Sequence, residues 1–146
     1  MRKFLLVILL LTLAPLVSVA SDLDLEKHAG KVVILDFWAS WCVPCRRSFP
    51  WMNAMQEKYG QDGLVIIAVN LDREVENAAA FLTEYPANFE IVYDPDAALA
   101  KEYEVQVMPS SFLIGRDGAS IDRHAGFKVK KQDEYEAMIR AALELQ

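Results

Sequence analysis

The sequence predicts an α/β domain in which helices cover a central β-sheet. Two apolar runs rich in β-branched residues, at 32–35 and 64–69, lack polar alternation, which indicates strands buried on both faces. Residues 43–59 between them carry apolar side chains at helical spacing, and a hairpin pattern followed by another helical pattern ends the chain. No repeat or linker divides the sequence after residue 21, so we expect a single domain over 21–146.

The first two helices each have a predicted apolar face. In the helix at 43–59 this face consists of Phe49, Met52, Met55 and Tyr59. Asp72 is the expected N-cap of a second helix, which reaches about Tyr85 because Pro86 blocks further helix. Its expected apolar face consists of Val75, Ala79 and Leu82.

The second half of the chain is predicted to contain shorter elements. A strand is expected at 89–93, and Asp94 with Pro95 opens a short helix that ends near residue 103. Strands at 111–114 and 119–124 form the hairpin. A helix at 131–145 closes the domain, with Tyr135, Met138, Ile139 and Leu143 on its apolar side. The polar segment 21–30 is expected to lie loosely at the edge.

Residues 1–20 have the pattern of a secretory signal peptide. Arg2 and Lys3 precede an apolar run, and Ser18 and Ala20 place small residues three and one positions before a cut after Ala20. The alternative is an uncleaved membrane anchor formed by residues 4–19, although this run is short for a membrane span. We therefore expect an exported protein, in the bacterial periplasm, that is soluble after the signal is cleaved.

Charge and cysteine content exclude several classes of protein. The 21 acidic and 15 basic residues give a net charge of −6, which argues against a nucleic-acid binder. Two cysteines cannot form a disulfide-rich scaffold or a closed zinc site of four cysteines. Neither His28 nor His124 shows ligand spacing relative to Cys42, so no metal site is expected.

The candidate chemistry lies in one short stretch, Trp38-Ala39-Ser40-Trp41-Cys42-Val43-Pro44-Cys45. The two cysteines are three residues apart where a strand runs into a helix, so their sulfurs can bond. The positive helix N-terminus stabilises a thiolate at Cys42, which we expect to be the exposed nucleophile. Cys45 is then the more buried resolving thiol. Pro44 suits a first helical turn because that position needs no backbone donor.

The alternative interpretation of the pair is a permanent structural disulfide, which an exported location would favour. Such a bond would close too short a loop to stabilise the fold strongly in the chain-entropy model. The motif between a strand and a helix instead favours redox chemistry.

The segment from Asp36 to Cys45 resembles the active site of the thioredoxin superfamily, and residues 108–114 resemble its cis-proline loop before an edge strand. One branch of the superfamily, the exported TlpA/ResA-like thiol–disulfide oxidoreductases, is more similar in three features: the run 41–50, the helix at 72–85 and Asp117-Gly118. The resemblance covers roughly residues 30–145 and implies a thioredoxin-like fold, a central mixed β-sheet flanked by helices. Members that act in cytochrome c maturation usually carry an acidic residue at the position of Ser48 and Asn at that of Asp36, so this chain departs from them twice.

The resemblance also assigns roles to residues around the cysteines. It implies a cis bond between Met108 and Pro109 beside the sulfurs, which leaves the Met108 backbone free to pair with a partner chain. Trp41 is expected to belong to an exposed apolar contact surface, whereas Trp38 is expected in the core. Asp36 is the single charge within 32–38, and a carboxyl buried beneath the cysteines would have a raised pKa. The resemblance favours Asp36 as a proton relay for Cys45 over a carboxylate that reaches solvent.

The function expected from these observations is reduction of disulfides in exported proteins, with no bound cofactor. Because an exported compartment lacks a reductant pool like that of the cytosol, a membrane electron-transfer protein is the expected electron donor. Three alternatives stay open: the same fold acting as a disulfide oxidant, a related peroxide-reducing enzyme, and a copper-carrying binding protein. Copper chaperones of this fold generally separate their cysteines by three residues, whereas the spacer here is Val43 and Pro44.

Overall fold

A computed structural model describes residues 23–144 of the chain. It contains five strands and four α-helices within that range: β1 (Val32–Trp38), α1 (Cys45–Tyr59), β2 (Leu64–Asn70), α2 (Val75–Glu84), β3 (Glu90–Tyr93), α3 (Ala98–Glu102), β4 (Ser110–Ile114), β5 (Ser120–Ala125) and α4 (Gln132–Glu144). The proposed signal peptide lies outside the described residues. No helix within 23–144 combines the length and apolar character needed to cross a membrane.

The sheet has the order β3-β2-β1-β4-β5. Strands β1, β2 and β3 pair in parallel, whereas β4 is antiparallel to β1 and β5 is antiparallel to β4. This arrangement confirms the expected central mixed sheet flanked by helices. It also shows that β4 is an interior strand, so the expectation of an edge strand after Pro109 is wrong. The hairpin continues past β4 and places β5 at the edge instead.

Strand β1 separates two apolar cores, because successive side chains of a strand point to opposite faces. Ile34 and Trp38 pack on one face with the buried side chains of α1 and α4, while Leu35 and Phe37 pack on the other with α3. Every residue of β1 is buried, as its uninterrupted apolar pattern predicts. Asp36 shares the face of Ile34 and Trp38, and Cys42 and Cys45 belong to the core on that face.

Helix α1 packs with the apolar face that the sequence predicts, through Phe49, Met52, Met55 and Tyr59. Phe49 lies at the centre of an aromatic cluster, with ring centroids 4.8 Å from Trp38, 4.9 Å from Phe81 and 5.4 Å from Phe89. The helix ends before Gly60, and the turn continues to Gly63, whose positive φ of 103° favours glycine. This packing holds the N-terminus of α1 against β1.

Helix α2 differs from its prediction. It begins at Val75 and not after Asp72, and its buried residues are Ala78 and Phe81. Val75 is 49% exposed. Asp72 does not act as the expected N-cap, because its carboxylate accepts hydrogen bonds from Ser40.

The segment that leads into β1 packs against the rest of the domain. The expectation that residues 21–30 lie loosely at the edge is therefore wrong for residues 23–30. Leu23 and Leu25 pack against the core on the α3 face of the sheet. The Lys27 ammonium lies 2.6 Å from Glu90 Oε1, and His28 Nε2 lies 3.2 Å from Glu90 Oε2. Apolar burial and these ion pairs together hold the segment beside β3.

Two later elements begin or end close to their predicted positions. Helix α3 starts at Ala98, three residues after the predicted start at Pro95. The Asp94 carboxylate is not at the N-cap position, but it accepts the backbone N–H groups of Ala98 and Ala100. Helix α4 buries Tyr135, Ile139 and Leu143 as expected, whereas Met138 is only partly buried.

Candidate active site

Cys42 and Cys45 form a disulfide at the N-terminus of α1, with an S–S length of 2.05 Å and Cα atoms 5.3 Å apart. Cys42 is 3% exposed and Cys45 is fully buried. The expectation of an exposed Cys42 is therefore wrong for the disulfide form, although Cys45 is the more buried of the two. Both cysteines belong to the core on the α1 face.

Helix α1 begins two residues later than the predicted start at residue 43. Cys45 is therefore the first residue of the helix. Pro44 is at the N-cap position with helical φ and ψ, where its missing N–H costs no hydrogen bond. The Cys45 N–H donates to the Cys42 carbonyl at 3.1 Å, forming the turn that closes the sulfurs together.

The charge around the pair is positive. The first turn of α1 carries no acidic residue, and Arg46 and Arg47 lie exposed next to Cys45. The unpaired N–H groups of a helix start add a partial positive charge at the same place. This setting favours a thiolate over a thiol when the disulfide is reduced.

A largely buried polar network holds the loop that leads to Cys42. The Asp72 carboxylate accepts the Ser40 backbone N–H at 2.9 Å and the Ser40 hydroxyl at 2.8 Å. Asn70 Nδ2 donates to the same carboxylate at 2.8 Å, and the Asn70 side-chain oxygen accepts the Asp72 N–H. The end of β2 therefore holds the loop between β1 and α1. Sequence reasoning missed this role, because an aspartate after a strand was interpreted as a helix cap.

Asp36 is 1% exposed on β1, and Ser111 of β4 donates a hydrogen bond to its Oδ1 atom. Its Oδ2 atom has no hydrogen-bond partner among residues 23–144. Burial raises the pKa of Asp36 to about 7, and the Ser111 hydrogen bond lowers it by less. The buried carboxyl can therefore exist in either protonation state near neutral pH. Sequence reasoning assigned no role to Ser111, because its partnership depends on strand register.

The other predicted site residues occupy two loops. Trp41 is 67% exposed directly before Cys42, whereas Trp38 is fully buried as expected. The Met108–Pro109 bond is cis, and Pro109 is buried immediately before β4. Met108 is partly buried and packs against the core that contains both cysteines. Exposed Val43 and Val107 add apolar surface to the same two loops.

The two histidines lie apart from each other. His28 pairs with Glu90, and His124 of β5 stacks on the Tyr135 ring with centroids 4.3 Å apart. Within residues 23–144 no group of three or more His, Cys, Asp or Glu side chains could hold a metal ion.

Known protein sequences share the pattern of this chain. Residues 14–139 match the Redoxin family. The chain is 36% identical over 114 residues to a thiol–disulfide oxidoreductase ResA from Bacillus thuringiensis subsp. konkukian, an alignment that covers 77% of this chain. It spans just under two thirds, 66%, of the length of that relative. These similarities confirm the resemblance to the ResA-like branch.

Solved structures share the fold. A candidate thiol:disulfide interchange protein DsbE from Chlorobium tepidum is 48% identical with a TM-score of 0.80, covering 82% of this chain and 84% of its own. StoA from Bacillus subtilis is 28% identical with a TM-score of 0.63, covering 74% and 84% respectively. Both comparisons support a thioredoxin-like arrangement of the sheet and helices.

Proposed function

The chain belongs to the Redoxin family, and on that premise we propose that it is an exported thiol–disulfide oxidoreductase that reduces disulfides in other exported proteins. The observation that carries the proposal is the Cys42–Cys45 disulfide at the positive N-terminus of α1. The relatives named ResA and DsbE support the same chemistry.

The proposed reaction begins with the reduced pair. The Cys42 thiolate attacks one sulfur of the substrate disulfide, and the other substrate sulfur leaves as a thiolate that takes up a proton. Cys45 then loses its proton and attacks Cys42 Sγ, and the second substrate sulfur leaves as a thiolate that takes up a proton. The substrate gains two electrons, and the chain is left as the Cys42–Cys45 disulfide.

Asp36 is proposed to take the proton of Cys45 during the second step. Its carboxyl shares a face of the sheet with both cysteines, and burial raises its pKa to about 7. A base with a pKa near the working pH both accepts and releases a proton readily. The vacant Oδ2 atom is the natural acceptor, because Oδ1 already holds the Ser111 hydrogen bond.

The two apolar loops beside the disulfide are proposed to bind the substrate chain. Trp41 offers a large exposed ring, and Met108 with Pro109 forms the opposite loop. The substrate is proposed to pair with the Met108 backbone while its disulfide faces Cys42. An exposed aromatic side chain supplies contact area at a low cost in conformational entropy.

Export and the electron donor are part of the same proposal. The N-terminal pattern of Arg2, Lys3 and the apolar run supports passage through the secretory route into the bacterial periplasm. The reduced pair must be regenerated after each turnover, and a membrane electron-transfer protein is the proposed donor.

Turnover of a disulfide-bonded protein substrate tests the proposal. We expect Cys42→Ser to lose turnover entirely and a surface variant, Val129→Ala, to keep the rate of the native chain. Full activity of Cys42→Ser would overturn the assignment.

The reduction potential of the Cys42–Cys45 pair tests whether the protein reduces or oxidises its substrate. A value near that of thioredoxin, about −270 mV, supports a reductant. A value near the exported oxidant DsbA, about −120 mV, would assign the oxidant role instead.

A further inference from the structure

We propose that Asp36 exchanges its proton with solvent through a row of three side chains, Asp36, Ser111 and His124, that crosses strands β1, β4 and β5. We call these three residues the proton row. The inference rests on the proposed function and deepens it, because a relay that takes a proton from Cys45 in each turnover must also release it.

Strand register places the three side chains next to one another. Asp36 pairs with Ser111 across β1 and β4, and Ser111 pairs with His124 across β4 and β5. Directly opposed residues of antiparallel strands point to the same face of a sheet. The Ser111 hydrogen bond to Asp36 and the stacking of His124 on Tyr135 of α4 both lie on the face that α1 and α4 cover.

Exposure increases along the row. Asp36 is 1% exposed and Ser111 is 8% exposed, while the His124 side chain reaches 25%. A cavity of about 20 Å³ lies beside Ser111 and His124, and Asp122 also lines it. A water molecule needs about 10–15 Å³ and two or more polar partners. The cavity has room for one water, and Ser111, Asp122 and His124 supply polar groups on a lining that is otherwise mainly apolar.

The charge around the row suits proton release. Burial lowers the pKa of His124, with the nearby Asp122 opposing the shift, so its ring is neutral at pH 7 and has a free lone pair. Asp122 Oδ2 lies 3.9 Å from His124 Nδ1, and Tyr135 faces the ring from α4. On the other side of Asp36, strand β2 contributes Ala68, which does not titrate. The disulfide on α1 does not titrate either.

The proton moves in a chain of balanced transfers. The Ser111 hydroxyl first turns its proton from Asp36 Oδ1 toward the water in the cavity, and the Asp36 carboxyl turns about its Cβ–Cγ bond so that the protonated Oδ2 faces Ser111 Oγ. Asp36 then gives this proton to Ser111 Oγ as the hydroxyl proton of Ser111 passes to the water. That water gives a proton to the neutral imidazole of His124, which releases it to solvent. Asp36 is left as a carboxylate, and the serine hydroxyl, the water and the imidazole return to their starting states.

Two pairs of variants test the row in the full chain, with turnover of a disulfide-bonded protein measured at pH 7 in dilute buffer. His124→Phe keeps an aromatic ring on Tyr135 but cannot carry a proton, and we expect turnover to fall at least about tenfold. Added imidazole should restore the rate, which a purely structural defect would not allow. The matched control is His28→Phe, which should keep the native rate with or without imidazole.

Ser111→Ala removes the central hydroxyl, whereas Ser111→Thr retains it. We expect the alanine variant to lose rate and to raise the pKa of Asp36, measured by carboxyl ¹³C NMR, and the threonine variant to restore both. Native rates in His124→Phe, or equal rates in the two Ser111 variants, would overturn the proton row. If the proton row is overturned, the proposed function still stands, because that function is overturned only if Cys42→Ser stays active.

Discussion

For Asp36, the sequence predicts the burial of the side chain but not its hydrogen-bond partner. A lone charge within an apolar run predicts a buried carboxyl, and the structure places it at 1% exposure beside the core of the cysteines. The hydrogen bond from Ser111 could not be predicted, since it depends on the register between β1 and β4. Likewise, the acceptor role of Asp72 depends on how the loop before Cys42 returns to the end of β2.

The pH dependence of stability tests the environment of Asp36. Its pKa is raised from 3.8 in the unfolded chain to about 7 in the folded one, so the folded chain binds more protons between these values. Stability that depends on protonated Asp36 is therefore present at low pH and is lost as the pH rises through about 7. We expect Asp36→Asn to be more stable than the native chain by up to about 4 kcal/mol at pH 8, with little difference at pH 4.

Denaturant unfolding of the oxidised chain at both pH values measures this effect. The exposed carboxylate Asp96 provides the control, and Asp96→Asn should follow the native curve. The same change in stability from pH 4 to pH 8 in Asp36→Asn and in the native chain would show that folding does not raise the pKa of Asp36.

Asp72 offers a second test at the level of one residue. Asp72→Ala removes the acceptor of two partly buried Ser40 donors and of the buried Asn70 Nδ2. Buried donors without partners are costly, so we expect the free energy of unfolding to fall by about 3 kcal/mol. Asp96→Ala should change it by less than about 0.5 kcal/mol. An equally small change in Asp72→Ala would exclude a role of this carboxylate in holding the loop.

Among the elements, those with strong apolar periodicity were predicted well. Helix α1 and strands β1 and β2 follow their patterns, because burial on a sheet face determines which residues point inward. Helix α2 was less predictable, since tertiary packing selects Ala78 and Phe81 over the expected face. The start of α1 at Cys45 also differs from the pattern, because Pro44 and the turn at Cys42 delay the regular helix.

The loop between β1 and α1 contains Trp41, the residue that tests the proposed substrate-binding surface. Trp41 is 67% exposed, so Trp41→Ala should change the free energy of unfolding by less than about 0.5 kcal/mol. If Trp41 contacts the substrate chain, kcat/KM for a folded protein disulfide should fall at least about tenfold. The rate with oxidised glutathione, which is too small to need the apolar surface, should stay near the native value.

A control variant separates contact from general loss of apolar surface. Val129 is 54% exposed on the connection before α4, and Val129→Ala should leave both rates unchanged. Equal loss with glutathione and with the protein substrate in Trp41→Ala would instead indicate damage to the cysteine pair.

At the scale of the whole molecule, the alternating pattern predicted an α/β sheet covered by helices, with the cysteines where a strand runs into a helix. The resemblance carried by the Trp-Cys-Val-Pro-Cys segment implied that this sheet is mixed. The sheet order, the interior position of β4 and the attachment of residues 23–30 were not predictable from local patterns. Each depends on contacts between segments far apart in sequence, such as Leu25 with the core on the α3 face. The fold brings the disulfide, Asp36 and the cis-proline loop to the same side of β1 and β4.

Trapping of a mixed disulfide tests the central claim, that Cys42 attacks a substrate disulfide and Cys45 resolves the product. Reduced Cys45→Ser, mixed with a disulfide-bonded protein, should accumulate a covalent complex on a non-reducing gel, and peptide mass spectrometry should place the bond at Cys42. Reduced Cys42→Ser should yield no complex under the same conditions. A complex formed equally by Cys42→Ser, or none formed by Cys45→Ser, would contradict the account.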